Sequence, residues 1–224
     1  MSTRFTKRAG GVSQGNFASL NLALHVGDRA DDVRRNREIA AIDVGADLVG
    51  VQYMNQVHGN RVVIVEERSD EEPTADALVT GIPGIALAVM VADCIPLLLK
   101  SEVAVAAVHV GRRGLVNDVT RSALHVMREM GAEHITAIIG PSICGRCYEV
   151  SEEIFSEVAT LHPLAASRTE RNTPALDLPA ALRAVLESES ISFFDEFECT
   201  FESPSLFSYR RDAITGRQAG IISL

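Results

Sequence analysis

The chain has 224 residues, 46% hydrophobic and 23% charged, with a formal charge of −9; this is an ordinary globular balance, and the acidity disfavours nucleic-acid binding. The length suits one substantial core, so residues 1–224 are read as a single domain. The longest apolar run, residues 84–99, is broken by Asp93 and Pro96, and no apolar stretch follows the first charged residues, so no membrane association or secretory leader is expected and the protein is read as cytoplasmic.

In chain order, residues 10–15 are glycine-rich but lack the spacing of either common phosphate-binding loop, and read as a loop able to close over a pocket. The apolar segment 19–28 carries Asn21, His25 and Asp28. Core hydrogen bonding is the simpler assignment for these, with Asn21 and His25 kept as candidate substrate-binding residues. Residues 31–42 have a charged helical pattern that Gly45 would end. Residues 49–57 and 61–66 read as strands around the turn His58-Gly59-Asn60, and residues 66–74 as an acidic loop. Residues 86–92 form a buried strand by their β-branched and apolar content. Residues 95–100 and 103–109 read as two further strands. Residues 115–130 give a helix with Val116, Val119, Ala123, Val126, Met127 and Met130 on one side, stopped by Gly131. A short strand is expected over 135–139. Helices are expected over 151–161, capped by Ser151, and over 179–186, entered through Asp177. A polar loop at 163–174 separates them. Strands close the pattern around 208–210 and 218–223. Adjacent hairpin-like strands argue against a purely parallel sheet and for a mixed α/β sandwich of sheets with outer helices.

Only Ser101 and Glu102 separate the strands at 95–100 and 103–109, short enough for a hairpin. With Lys100 facing Val103, Cys94 falls opposite His109, at a distance of about 5 Å between Cβ atoms. A thiolate and an imidazole so placed can share a metal ion or exchange a proton. His58, at its turn, supplies a second imidazole. Two histidines and one cysteine make a three-ligand zinc set with a fourth position open to water or substrate; the same set can hold copper. The bland reading is a buried small thiol and a solvated turn histidine.

The other cysteines, Cys144, Cys147 and Cys199, are too few for a disulfide framework. Cys144-Gly145-Arg146-Cys147 could be half a zinc site or a redox pair, but no second such pair completes it, and the thiols are read as structural. Gly111-Arg112-Arg113-Gly114 offers two guanidiniums to an anion such as phosphate. The arginines of Tyr209-Arg210-Arg211-Asp212 are read as an ion-pair cluster with Asp212.

These residues have a familiar order. The segments 8–15, 18–22 and 25–28, Gln56-Val57-His58-Gly59, residues 75–80, 92–98 and 109–114, Gly140-Pro141-Ser142-Ile143, residues 148–150, 207–212 and 215–217 span almost the whole chain. Together they resemble the YfiH-type laccase-domain family of multifunctional purine nucleoside enzymes. The resemblance implies an α/β/β/α fold of mixed sheets flanked by helices, and a zinc site of His58, Cys94 and His109 as catalytic and metal-ligating residues. It also implies phosphorolysis of adenosine, inosine, guanosine and methylthioadenosine, with adenosine deaminase activity, so a nucleoside and phosphate are the expected partners. Phosphate would be held by Arg113 and Arg112. The general acid is not identified; Asp93 and His25 are candidates. One departure stands out: the family's usual His-Ala-Gly-Trp-Arg-Gly reads His-Val-Gly-Arg-Arg-Gly over residues 109–114, so Arg112 replaces a tryptophan and a cation stands where an aromatic face is usual. This bears on substrate preference more than on metal binding. Rival readings are a metal-free cysteine hydrolase using Cys94 and His109, including the peptidoglycan-editing role given to some members, the family's older copper-dependent polyphenol oxidase description, and a zinc-stabilised interaction protein. Six histidines, three already used, leave little for a multicopper centre. Oligomeric state is not legible.

Overall fold

The computed structural model describes residues 2–45 and 50–224. Its first half runs β1 (Ser2–Phe5), α1 (Ala30–Asp43), β2 (Val51–Gln52), β3 (Val62–Ile64), β4 (Ala77–Thr80), β5 (Ala86–Val91), β6 (Ile95–Lys100) and β7 (Val105–Val110). The second half runs α2 (Arg112–Val116), α3 (Val119–Glu129), β8 (Thr136–Ile139), α4 (Glu152–Leu161), β9 (Ala166–Arg168), β10 (Pro174–Leu176), α5 (Leu178–Ser188), β11 (Ser192–Asp195), α6 (Tyr209–Asp212) and β12 (Gln218–Ser223). The strands form a four-stranded sheet in the order β1-β12-β5-β2, a six-stranded sheet in the order β11-β8-β6-β7-β4-β3, and a small β9–β10 pair.

Side chains alternate across a strand, so one strand can serve two cores. Along β5, Leu87, Val89 and Val91 pack with Leu78, Leu98, Val105 and Ala107 between the two large sheets. Its other residues, Ala86, Ala88 and Met90, face Leu20, Leu22 and Ala40, the last on α1. The six-stranded sheet divides in the same way. Leu98 points between the sheets, while Leu97 and Leu99 join Ala123, Leu124 and Met127 of α3 and Leu182 and Val185 of α5. Each fully buried Leu contributes about 1.5–3 kcal/mol of transfer free energy. The result is helix, sheet, sheet, helix, the α/β/β/α layering expected from the resemblance. Among the described residues, no helix is long and apolar enough to cross a membrane.

Ser151 caps α4, its side chain accepting from Ile154 N, and Asp177 caps α5 by accepting from Ala180 N. Elsewhere the structure departs from the sequence reading. The helix expected over 115–130 is two helices, broken at Asn117-Asp118, where Asp118 adopts φ 59°; Asp tolerates this left-handed conformation. The expected loop at 163–174 contains β9 and the first residue of β10, closed by Thr169 N donating to Thr173 O at 3.0 Å. The expected strand at 208–210 is the short α6, because Ser208 Oγ accepts from Arg211 N and starts a helical turn. Of the strand expected over 49–57, Val51–Gln52 pair with β5, and Val49 lies outside the described residues.

Candidate active site

Lys100 faces Val105, not Val103, so the hairpin turn is four residues long. Ser101 accounts for the extra length: its N and Oγ both donate to Ala104 O at 2.9 Å, and its Oγ accepts from Ala104 N at 3.1 Å. Pro96, not Cys94, therefore faces His109. The slip is two residues, and an even slip leaves each side chain on its original face. Cys94, two residues before Pro96, still meets His109 and His58: the three donor atoms lie within 4.8 Å of one another. Cys94 Sγ is 3.9 Å from His58 Nε2, and the two imidazoles stand edge to face with centroids 4.7 Å apart.

What fixes this cluster is Asp76, at the edge of β4, a residue the sequence reading passed over. Its Oδ1 accepts from His58 N at 2.9 Å and from His109 Nδ1 at 2.8 Å, while its Oδ2 accepts from Gly59 N at 2.6 Å and Val57 N at 3.3 Å. One fully buried carboxylate thus shapes the turn that carries His58, which has φ 61°, and orients His109. Nδ1 of His109 is occupied, so Nε2 is the atom left for a ligand, the arrangement that metal-binding histidines generally use. Gly111 gives the cluster room. A Cβ there would lie 3.0 Å from Cys94 Sγ, 3.0 Å from His58 Cδ2 and 3.7 Å from His109 Nε2.

Burial pushes the Cys94 thiol up, but His109 and then His58 outweigh it and bring it down to about 6. In His109, burial acts downward, while the Cys94 thiolate and Asp76 push the imidazole up to about 9. Burial raises Asp76 too, yet the hydrogen bonds from His109, Gly59 and His58 hold it below the usual carboxylate range. The donor set is a thiolate beside imidazoles, one of them already oriented by a carboxylate. This is chemistry that suits a divalent cation, whose ligands must be deprotonated.

The cluster opens on a cavity of about 410 Å³, within the range of roughly 300–1,000 Å³ for small-molecule sites. Arg112, Arg210 and Arg217 line it, together with Tyr148 and Tyr209. Arg210 lies over the Tyr148 ring at 5.0 Å and donates to Glu149 O, and Arg217 lies 5.8 Å from the Tyr209 ring centroid. His25, Gln56 and Asp93 add to the polar lining. Burial and then Arg217 lower the pKa of His25, keeping its imidazole neutral.

A family model described as multi-copper polyphenol oxidoreductase laccase matches residues 2–224. The chain belongs to this laccase-domain family. A relative from Streptomyces coelicolor named a purine nucleoside phosphorylase is 46% identical, over 98% of this chain and 94% of its own length. Among solved structures, NMB0706 of Neisseria meningitidis has a TM-score of 0.89 at 39% identity, covering 99% of this chain and 93% of that one. YlmD of Geobacillus stearothermophilus has a TM-score of 0.90 at 31% identity, covering 99% and 92%.

The structure of this laccase-domain protein sorts the remaining candidates. Asn21 is fully buried away from the cavity; it donates to Ala23 O and Asp28 Oδ2 and accepts from Ala23 N and Arg217 N. It holds the backbone of Arg217 rather than a ligand. Arg113 lies in a neighbouring depression with His58 and Asn117, outside the main cavity, whereas Arg112 lines both and sits 3.7 Å from Glu157. Asp93 has φ 101° and accepts from Thr200 Oγ1, Ser208 Oγ and Arg210 N, each at 2.7 Å. It anchors the cavity wall through these three contacts, two of them on Oδ1 and one on Oδ2. Residues 10–15 do not line the cavity; they are pinned to α1, with Val12 N donating to Asn36 Oδ1 at 2.8 Å. The expected ion pair forms between Arg211 and Asp212 at 2.9 Å. Arg217, Tyr148, Tyr209 and Gln56 went unnoticed as site residues in the sequence, because each becomes part of the site only through tertiary folding. Cys144 and Cys147 are not isolated: Cys199 and Glu202 join them in a second group of metal-donor atoms.

Proposed function

We propose that this chain is a zinc-dependent purine nucleoside phosphorylase acting on adenosine, inosine, guanosine and methylthioadenosine, with adenosine deamination as a side reaction. The reading rests on one observation above all: two imidazoles and a thiolate converge on a cavity that also presents three arginines and two tyrosines. The name carried by the Streptomyces coelicolor relative points to the same reaction. His58, Cys94 and His109 would hold the zinc, which when bound supplies a Lewis acid with a position open to a reactant.

The residues of this chain do the rest. Arg112, Arg210 and Arg217 draw phosphate into the cavity and orient it, since guanidiniums match phosphate oxygens in geometry and charge. Tyr148 and Tyr209 flank the purine with apolar ring surface. A phosphate oxygen attacks the anomeric carbon, the bond from that carbon to the purine nitrogen breaks, and its electron pair leaves with the base. The departing base needs a hydrogen bond or a proton. His25, a cavity residue outside the arginine set, would supply an N–H to it. The products are a ribose 1-phosphate and the free purine.

Copper oxidase chemistry is less well supported by the ligands. Among the described residues, the metal-donor groups are His58-Cys94-His109 and Cys144-Cys147-Cys199-Glu202, and neither contains the additional histidines of a multicopper centre.

A nucleoside panel incubated with and without phosphate, with base separated from nucleoside, tests the proposal. Base release is expected to require phosphate and to be lost in His58→Ala and Cys94→Ala. Arg112→Ala is expected to raise KM for phosphate while metal content stays unchanged. Absence of base release from every purine nucleoside, or equal turnover in His58→Ala after metal stripping, would overturn it.

A further inference from the structure

Behind the cavity wall, two segments with the same spacing come together. Cys144-Gly145-Arg146-Cys147 contributes a pair of sulfurs, and Cys199-Thr200-Phe201-Glu202 contributes a sulfur and a carboxylate. We propose that Cys144, Cys147, Cys199 and Glu202 form a second, structural metal site that takes zinc in closed four-coordinate geometry.

The geometry supports this directly. One donor atom from each residue lies within 4.8 Å of the other three. Cys147 Sγ is 3.6 Å from Glu202 Oε1. A tetrahedral zinc with bonds of about 2.3 Å to sulfur and about 2.0 Å to oxygen separates its ligands by about 3.5–3.8 Å. The four atoms are therefore close to the size of a filled coordination shell.

The backbone is arranged around the sulfurs as well. Cys147 N and Tyr148 N both donate to Cys144 O at 3.1 Å, folding the first segment into a tight knuckle. Ser203 N donates to Cys199 O at 2.9 Å in the second. Cys144 N points at Cys199 Sγ at 3.4 Å. Such an N–H donor stabilises a thiolate. Gly145 lets the first segment pack against Asp177 and Ser167, since a Cβ there would lie 2.7 Å from Asp177 Cβ and 2.8 Å from Ser167 Oγ. Burial, then the crowding of Cys144, Cys199 and Glu202, drives the Cys147 thiol well above its ordinary range, and burial raises Cys199. These groups resist becoming anions together unless a cation compensates them.

The site has a clear structural use. Ser142 bridges Cys199, with Thr200 N donating to Ser142 O at 3.1 Å, so the metal would lock two loops already in contact. The first loop carries Ile143 and Tyr148 into the active-site cavity. In the second, Thr200 holds Asp93 beside Cys94. The metal would therefore brace one wall of the catalytic cavity without touching a reactant. With all four positions filled by protein, it has none to offer substrate.

Metal analysis of the full-length protein purified under reductant tests this. Two zinc ions per chain are expected. Cys144→Ser/Cys199→Ser should lose one and keep the other, as should His58→Ala/Cys94→Ala. Glu202→Gln, which keeps the side-chain shape, covers the case in which the cysteine variant does not fold; it should release its second zinc to a chelator faster than the parent does. In the cobalt-substituted protein, the thiolate-to-metal charge-transfer band should fall by roughly three quarters when the three cysteines are replaced, and by roughly one quarter in Cys94→Ala, because intensity follows the number of bound thiolates. One zinc per chain in the parent, unchanged in Cys144→Ser/Cys199→Ser and with chelator release unaltered in Glu202→Gln, would overturn the proposal. So would a Cys144–Cys147 disulfide in the reductant-treated protein.

Discussion

Replacing Asp76 with asparagine isolates what the buried carboxylate does. The substitution keeps shape and volume but turns one of two acceptor oxygens into a donor. The Oδ1 side of Asp76 receives His58 N and His109 Nδ1, and the Oδ2 side receives Gly59 N and Val57 N. Either orientation of the new amide therefore sets its NH₂ against two N–H groups. Each donor left without an acceptor costs about 1–3 kcal/mol, so the loss is about 2–6 kcal/mol with the NH₂ toward Gly59 and Val57, and about 1–3 kcal/mol with it toward His58 and His109, where the ring can accept by moving its proton. At roughly 2–4 °C per kcal/mol for a chain of this size, the loss is readily seen in a thermal melt. If the amide faces His109, that imidazole keeps its proton on Nε2, the atom otherwise free to bind a metal. Loss of such a carboxylate partner typically weakens metal affinity by about 10–100-fold. Chelator competition on the folded variant reads the affinity, and calorimetry reads the melt. A variant that melts with the parent and holds zinc as tightly would refute the role given to Asp76.

Three further outcomes follow from the site and the core. In the metal-stripped protein, the Cys94 thiol sits at about 6 rather than at its ordinary value of 9.0, so its thiolate persists down to about that pH; alkylation followed by peptide mapping should show Cys94 reacting near pH 7 at close to its full rate, and a profile that climbs only toward pH 9 would contradict the pairing with His109. Gly111→Ala places a methyl 3.0 Å from both Cys94 Sγ and His58 Cδ2; metal content at the His58 site should fall while the fold, read by circular dichroism, is retained, and stoichiometric metal there would count against the close fit. Leu98→Ala empties a fully buried position between the two sheets, at a cost of about 2–5 kcal/mol; a denaturant midpoint within error of the parent would show that the inter-sheet core does not bear on stability as described.

The sequence made the layers legible because alternation is a local signal. β5 and β6 read correctly from their apolar runs, and Ser151 and Asp177 announced their helices through side chains that cap in place. The convergence of Cys94 and His109 was legible in part through an error that cancelled: the hairpin turn is two residues longer than expected, and an even slip spares the facing of each side chain. The break at Asn117-Asp118 was hidden because apolar spacing continues across it while the backbone reverses. Asp76 was hidden for a different reason. It precedes an apolar strand as one more polar residue, and its four acceptor contacts come from segments 17 to 33 positions away in sequence. Cys199 and Glu202 lie farther still, more than fifty residues beyond Cys147, so local spacing could not pair them with the first knuckle. Arg112 and Arg113 are neighbours in sequence and share one depression, yet only Arg112 also reaches the main cavity, which no motif could have shown.

β12 lies between β1 and β5 in the four-stranded sheet. Among the described residues, β1 has no hydrogen-bonded strand neighbour other than β12. On the ribosome, therefore, residues 2–5 must wait for residues 218–223 before they can join any sheet. The segment just upstream of β12 delivers Tyr209, Arg210 and Arg217. A nascent chain thus possesses its histidines, Cys94 and Arg112 well before Arg210 and Arg217, and the full set of cavity arginines exists only once residues 209–217 have been made.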